Sequence, residues 1–194
     1  MKKIPFALVL ALGLASGSAF ADPVANPPVA DTSGQITING KITDSTCYIA
    51  VADKDQTVTL STVAAASLKD SAITAPQRFS INLSGCPAGI NVGTKFSSAE
   101  GPNSIDVTNG TLKNQLVGTP EAPAATNVTI ALLEGGTNNQ IEFAKGTFGK
   151  SSMVETDTAG TATLDYLAGY YTTDKSSVGA GAVTAKVNFI ITYD

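Results

Sequence analysis

Between residues 34 and 42 apolar and polar positions alternate without a break. Gly34, Ile36, Ile38, Gly40 and Ile42 fall on one side, and Gln35, Thr37, Asn39 and Lys41 on the other. A period of two is that of a β-strand with one apolar face. Similar short runs recur at 56–60, 77–84, 91–97, 126–133, 160–171 and 183–193, separated by clusters of Gly, Asn, Asp and Pro. Helical periodicity is almost absent, and only residues 63–69 (VAAASLK) suit a single helical turn. Short strands punctuated by turn residues predict an all-β sandwich. The pattern shows no internal repeat and no second domain.

The two ends of this pattern are unusual. The last run places Val183, Ala185, Val187, Phe189, Ile191 and Tyr193 on one face, and Thr184, Lys186, Asn188, Ile190 and Thr192 on the other. As the closing strand of a sandwich it is short of one neighbour, and an apolar open edge invites pairing unless charges or prolines blunt it. Here only Lys186 does so. Near the other end an apolar alternating strand follows a proline-rich stretch, 22–33 (DPVANPPVADTS), which reads as an extended arm. Strand addition from another chain would satisfy both ends. Periodicity alone also allows an ordinary first strand at 34–42 and an ordinary edge strand at the close.

Residues 1–21 read as a secretory leader: Lys2 and Lys3, an apolar stretch from Ile4 to Leu14, and a small-x-small ending at Ala19-Phe20-Ala21. The stretch is too short to span a bilayer, which takes about 20 apolar residues. Export makes the cysteine count informative. Cys47 and Cys86 are the only pair, and in an oxidising compartment they are expected to form a structural disulfide. A redox role lacks the C-x-x-C arrangement.

Composition then removes whole classes of activity. The chain has 194 residues, 43% of them apolar and only 14% charged, and it has no His. That excludes imidazole-based triads, His metal ligands and an imidazole general base. A net charge of −4 argues against nucleic acid as a partner, because phosphate recognition needs surplus Lys and Arg. Asp53, Asp55, Glu155 and Asp157 are the carboxylates to weigh as calcium ligands or catalytic acids, but no loop has the ligand density of a calcium site. No pair is matched for glycosidase chemistry. The reading is therefore non-enzymatic, without metal or cofactor.

Four features in order resemble the pilins of chaperone–usher fimbriae. They are the leader with G-x-I-x-I-x-G-x-I (34–42) and T-D-S-T-C ending at Cys47; F-S-I-N-L-S-G-C ending at Cys86; Tyr170-Tyr171; and a C-terminal strand carrying Gly181 and the penultimate Tyr193. The resemblance covers the whole mature length. It implies an incomplete immunoglobulin-like sandwich that lacks its final strand and is completed by donor-strand exchange. It divides the chain into a leader (1–21), an extension holding the donor (22–41) and a pilin domain (42–194). The implied donor segment is about 30–41, with Thr32, Gly34, Ile36, Ile38 and Gly40. The implied acceptor groove and chaperone-binding strand comprise Gly181, Val183, Val187, Phe189, Ile191, Tyr193 and the carboxylate of Asp194. The implied partners are other copies and related pilins, a periplasmic chaperone and an outer-membrane usher, with passage through the periplasm to the cell surface. The resemblance implies foremost a major shaft subunit supporting adhesion; a minor tip or adaptor pilin, a one-domain adhesin with a host receptor, and a monomeric periplasmic ligand-binding sandwich are the alternatives.

Overall fold

The computed structural model describes residues 36–38, 46–68, 72–143 and 148–194. The chain divides into two compact units, Met1–Lys41 and Ile42–Asp194. Of the first, residues 36–38 are irregular in backbone and exposed in side chain, Ile36 at 87% and Ile38 at 89%. The leader, the arm with Thr32, and the rest of the alternating stretch, including Gly34 and Gly40, lie outside the described residues.

The second unit is built from strands. In chain order they are β1 (Tyr48–Ile49), β2 (Ile73–Ser84), β3 (Asn91–Ser98), β4 (Ile105–Asp106), β5 (Thr111–Lys113), β6 (Val128–Glu134), β7 (Phe148–Lys150), β8 (Val154–Glu155), β9 (Ala162–Thr172) and β10 (Val187–Tyr193). One short helix, Val51–Lys54, follows β1. The strands form two antiparallel sheets. The larger has the order β1-β2-β9-β6-β5-β4, and the smaller has β10-β3-β7 with β8 also on β3.

Alternation dictates which side chains fill the space between the sheets. In β2, Ile81 and Leu83 point inward while Asn82 and Ser84 are exposed; in β9, Ala162, Leu164 and Tyr166 point inward while Thr163 and Asp165 face out. β6 reads as an unbroken apolar run because both of its faces are covered, every residue from Val128 to Leu133 being buried. Tyr166 sits at the centre at 1% exposure. Its ring meets Phe96 edge-on at 5.0 Å and Phe79 at 5.5 Å. Its hydroxyl donates to Thr94 Oγ1 at 2.7 Å and lies 3.1 Å from Ser151 Oγ, so a polar handle from the large sheet is satisfied by the small one. Burial pushes the phenol's pKa above its ordinary value.

The cysteines bracket the β1–β2 pair and are joined, with Cα atoms 4.3 Å apart across 39 residues. Gly85, beside the bond, has a φ of 65°, and a Cβ there would meet the Tyr48 ring at 2.8 Å. Glycine is required on both counts.

Several sequence expectations change. β2 begins at Ile73, before the expected 77, because a bulge between Thr74 and Gln77, with Ala75 at φ 49°, breaks the period. The turn expected at 63–69 contracts to a 3-10 turn, Ala65–Ser67. Residues 56–60 form no strand, and the last strand starts at Val187 and not at Val183. Tyr171 is 8% exposed and donates to Asn109 Oδ1 at 3.2 Å, while Tyr170 is half-buried.

Tyr166→Phe deletes the shared hydroxyl and leaves Thr94 and Ser151 short of a buried partner. It should destabilise the folded chain by about 1–3 kcal/mol, read as a lower urea midpoint followed by tyrosine fluorescence.

Candidate functional site

β10 has a ladder neighbour on one side only among the described residues, namely β3, over seven residues from Val187↔Ser98 to Tyr193↔Val92. Ala99 N–H donates to Lys186 O at 3.3 Å and Asp194 N–H donates to Asn91 O at 3.0 Å, so the even-numbered residues turn their backbone toward β3. Antiparallel pairing alternates, so the N–H and C=O groups of Val187, Phe189, Ile191 and Tyr193 point to the other edge. The side chains of those same four residues pack half-buried against the core. One set of residues thus offers apolar side chains to the interior and unladdered backbone to the edge.

Across from this edge runs 53–60. Val58 and Leu60 face the core and Thr57 and Thr59 are exposed, the alternation the sequence shows, yet no ladder forms. Side chains hold the segment instead. Gln56 Nε2 donates to Ser80 O at 2.6 Å, and Asp53 accepts from the backbone and side chain of Asn82 at 2.8 and 2.9 Å. The missing strand at 56–60 has this physical reason: its backbone faces a gap and not a neighbour.

Between the two lies a groove of about 1030 Å³. Its floor includes Ile81, Phe96, Leu112, Ile130 and Leu132, each at most 8% exposed, together with half-buried Phe79 and Tyr170. Val183, Ala185, Val187 and Phe189 line one wall, and 53–60 the other. Ile191 and Tyr193 continue the row beyond this lining, and the Tyr193 hydroxyl accepts from Cys47 N–H at 3.1 Å, tying the strand's end to the disulfide. Asp194 is exposed. Gly181 stands apart from the groove: residues 179–182 press on 123–126, and a Cβ at 181 would fall on the Pro123 carbonyl. Close backbone approach is its role.

Charge around the groove is sparse. Lys186 lies 3.9 Å from Glu100 with both side chains exposed, an arrangement that contributes little. Two of the four carboxylates weighed as calcium ligands or catalytic acids serve local structure. Asp53 holds Asn82, and Asp157 accepts from the backbone and hydroxyl of Thr161, which lowers its pKa. No group of three or more metal-ligating side chains exists among the described residues. The site therefore offers a slot for an extended, apolar-alternating segment. Of the residues the resemblance implied for a groove, Val183, Val187 and Phe189 line this cavity; 53–60 was not among them, and the amphipathic alternation at 56–60 was its only signal.

The sequence matches the family described as fimbrial protein over residues 36–194. It is 39% identical over 168 residues to a major fimbrial subunit, SMF-1, of Stenotrophomonas maltophilia strain K279a, covering 83% of this chain and 92% of that protein. It is 32% identical over 196 residues to the F17 fimbrial protein of Escherichia coli, covering 100% and 99%. Among solved structures, a chaperone–usher pilus studied for the molecular basis of rod uncoiling shares the fold, with a TM-score of 0.57, 18% identity and coverage of 87% of this chain and all of that one.

The edge assignment predicts an alternating pattern of amide hydrogen exchange in the monomeric chain. Asn188, Ile190 and Thr192 should be protected by β3, while Val187, Phe189 and Ile191 exchange fast. Uniformly slow exchange along β10 would show the edge to be covered.

Proposed function

The chain belongs to the fimbrial protein family and is a structural subunit of a surface fimbria, not an enzyme; we propose that it is the repeating shaft subunit and that its copies join by donating a strand. One observation carries this reading. The β10 edge and the 53–60 segment flank an apolar groove whose two rims carry backbone groups without ladder partners.

The donor is 30–41 of a second copy. Ile36 and Ile38 are exposed in the described structure, and their spacing of two suits pockets on one side of a groove. Thr32 precedes them, and Gly34 and Gly40 flank them where backbone must approach backbone. Burying each isoleucine contributes about 1.5–3 kcal/mol, and each ladder hydrogen bond about 1 kcal/mol net. A segment of some ten residues then supplies stabilisation on the scale of a whole domain's 5–15 kcal/mol. Such a joint opens very slowly, because releasing the strand exposes the acceptor's core.

Before assembly the same groove has to be covered. A periplasmic chaperone lends the first strand, with the Asp194 carboxylate as its anchor, and the exchange for the next subunit's arm takes place at an outer-membrane usher. Removal of 1–21 precedes this passage.

Replacing Ile36 and Ile38 with Asp should leave chaperone-bound subunits at normal levels and abolish fibre growth; normal fibres from this variant would refute the donor assignment. Deleting 187–194 should prevent chaperone capture, so that periplasmic subunit is degraded. Undiminished accumulation would count against the acceptor assignment.

A further inference from the structure

Beyond the Val183 end of the groove lies a second cavity of about 510 Å³. The two cavities share Thr184 and Lys186. The second is also lined by Lys113, Gln115, Leu116 and Val117. Val117 is 90% exposed. Gln115 holds the neighbouring segment with its backbone N–H on Thr184 O at 2.8 Å and its Oε1 on Lys186 N–H at 3.1 Å. Its buried Nε2 has no hydrogen-bond partner among the described residues. A buried amide donor without a partner is rare in a finished structure.

A second exposed surface follows Cys47. Tyr48 at 73% and Val51 at 85% are exposed apolar side chains only a few residues after the donor segment, and Asp55 follows the short helix.

Direction connects the two surfaces. Every ladder between the described strands is antiparallel, and antiparallel pairing is the more stable per residue. A donor strand antiparallel to β10 has its C-terminal end at Val183, beside the second cavity. From Lys41 to Tyr48 is seven residues, a reach of at most about 25 Å at 3.3–3.6 Å each. The donor copy's first turn therefore lies within about 25 Å of the acceptor's Val183 end, a range that takes in the second cavity.

We infer that the cavity lined by Lys113, Gln115 and Val117 is the docking surface for the Tyr48–Asp55 stretch of the copy that donates its strand. Tyr48 and Val51 cover Leu116 and Val117, a carboxylate or carbonyl of that stretch accepts from Gln115 Nε2, and Lys113 faces Asp55. The inference rests on strand donation between copies. It adds a second contact that fixes the angle between successive subunits, which a single inserted strand leaves free to swivel.

Disulfide trapping tests it on assembled fibres. Chains carrying both Val51→Cys and Val117→Cys, and separately Tyr48→Cys and Val117→Cys, are oxidised mildly, boiled in SDS without reductant and mapped by mass spectrometry. A Val107→Cys and Val117→Cys pair serves as control, since Val107 is 54% exposed on the β4–β5 turn. The inference expects ladders that survive boiling in at least one of the two test pairs, with an inter-chain 51–117 or 48–117 linkage, and none in the control. Fibres that persist in unboiled SDS yet fall to monomers with free thiols on boiling in both test pairs would overturn the docking surface and leave strand donation standing. Failure of the wild-type chain to form any SDS-resistant species would overturn both.

Discussion

A β-strand that buries its side chains cannot leave its backbone unpaired without cost, and β10 brings these two demands into conflict. Val187, Phe189, Ile191 and Tyr193 are committed to the core by their side chains, while their N–H and C=O groups face away from β3. Water can solvate that edge only by reaching down beside an apolar floor of Ile81, Phe96 and Leu132. Pairing with an extended segment removes the conflict at one stroke, because the same segment supplies ladder bonds to the rim and side chains to the floor. The rest of the molecule is arranged to hold this slot in shape. Tyr166 clamps the two sheets beneath it, the disulfide fixes the β1–β2 corner, and Tyr193 links that corner to the last strand.

Assembly by the proposed strand donation needs no catalytic group. A chain without histidine and with few charges has what such a filament needs: a sparsely charged surface, an apolar slot and an apolar alternating segment in one polypeptide. Carboxylates that looked available are engaged in local structure, as Asp53 is with Asn82 and Asp157 with Thr161.

Much of the fold was legible because 79–84 in β2 and 162–166 in β9 alternate cleanly, and a period of two needs only a few turns of the pattern to declare itself. β4, β5, β7 and β8 were invisible for the opposite reason, being two or three residues long. The bulge at Ala75 hid the start of β2. Residues 56–60 are the instructive case: the amphipathic reading of Val58 and Leu60 was right, but whether a ladder forms depends on a neighbour, and sequence does not reveal neighbours. Gly181 came forward from the resemblance alone, and its close approach to Pro123 is set by the fold, which the sequence does not display. The second cavity left no sequence signal, since Lys113, Gln115 and Lys186 come together only through the fold.

The wall opposite β10 is held to β2 by Gln56 and Asp53 and not by a continuous ladder. Two side-chain tethers permit sideways give that a ladder would forbid, so this rim is compliant until something bridges it to β10. On the proposed strand donation, each subunit would stiffen as its groove is filled, and such a filament would be softest at the subunit joined last.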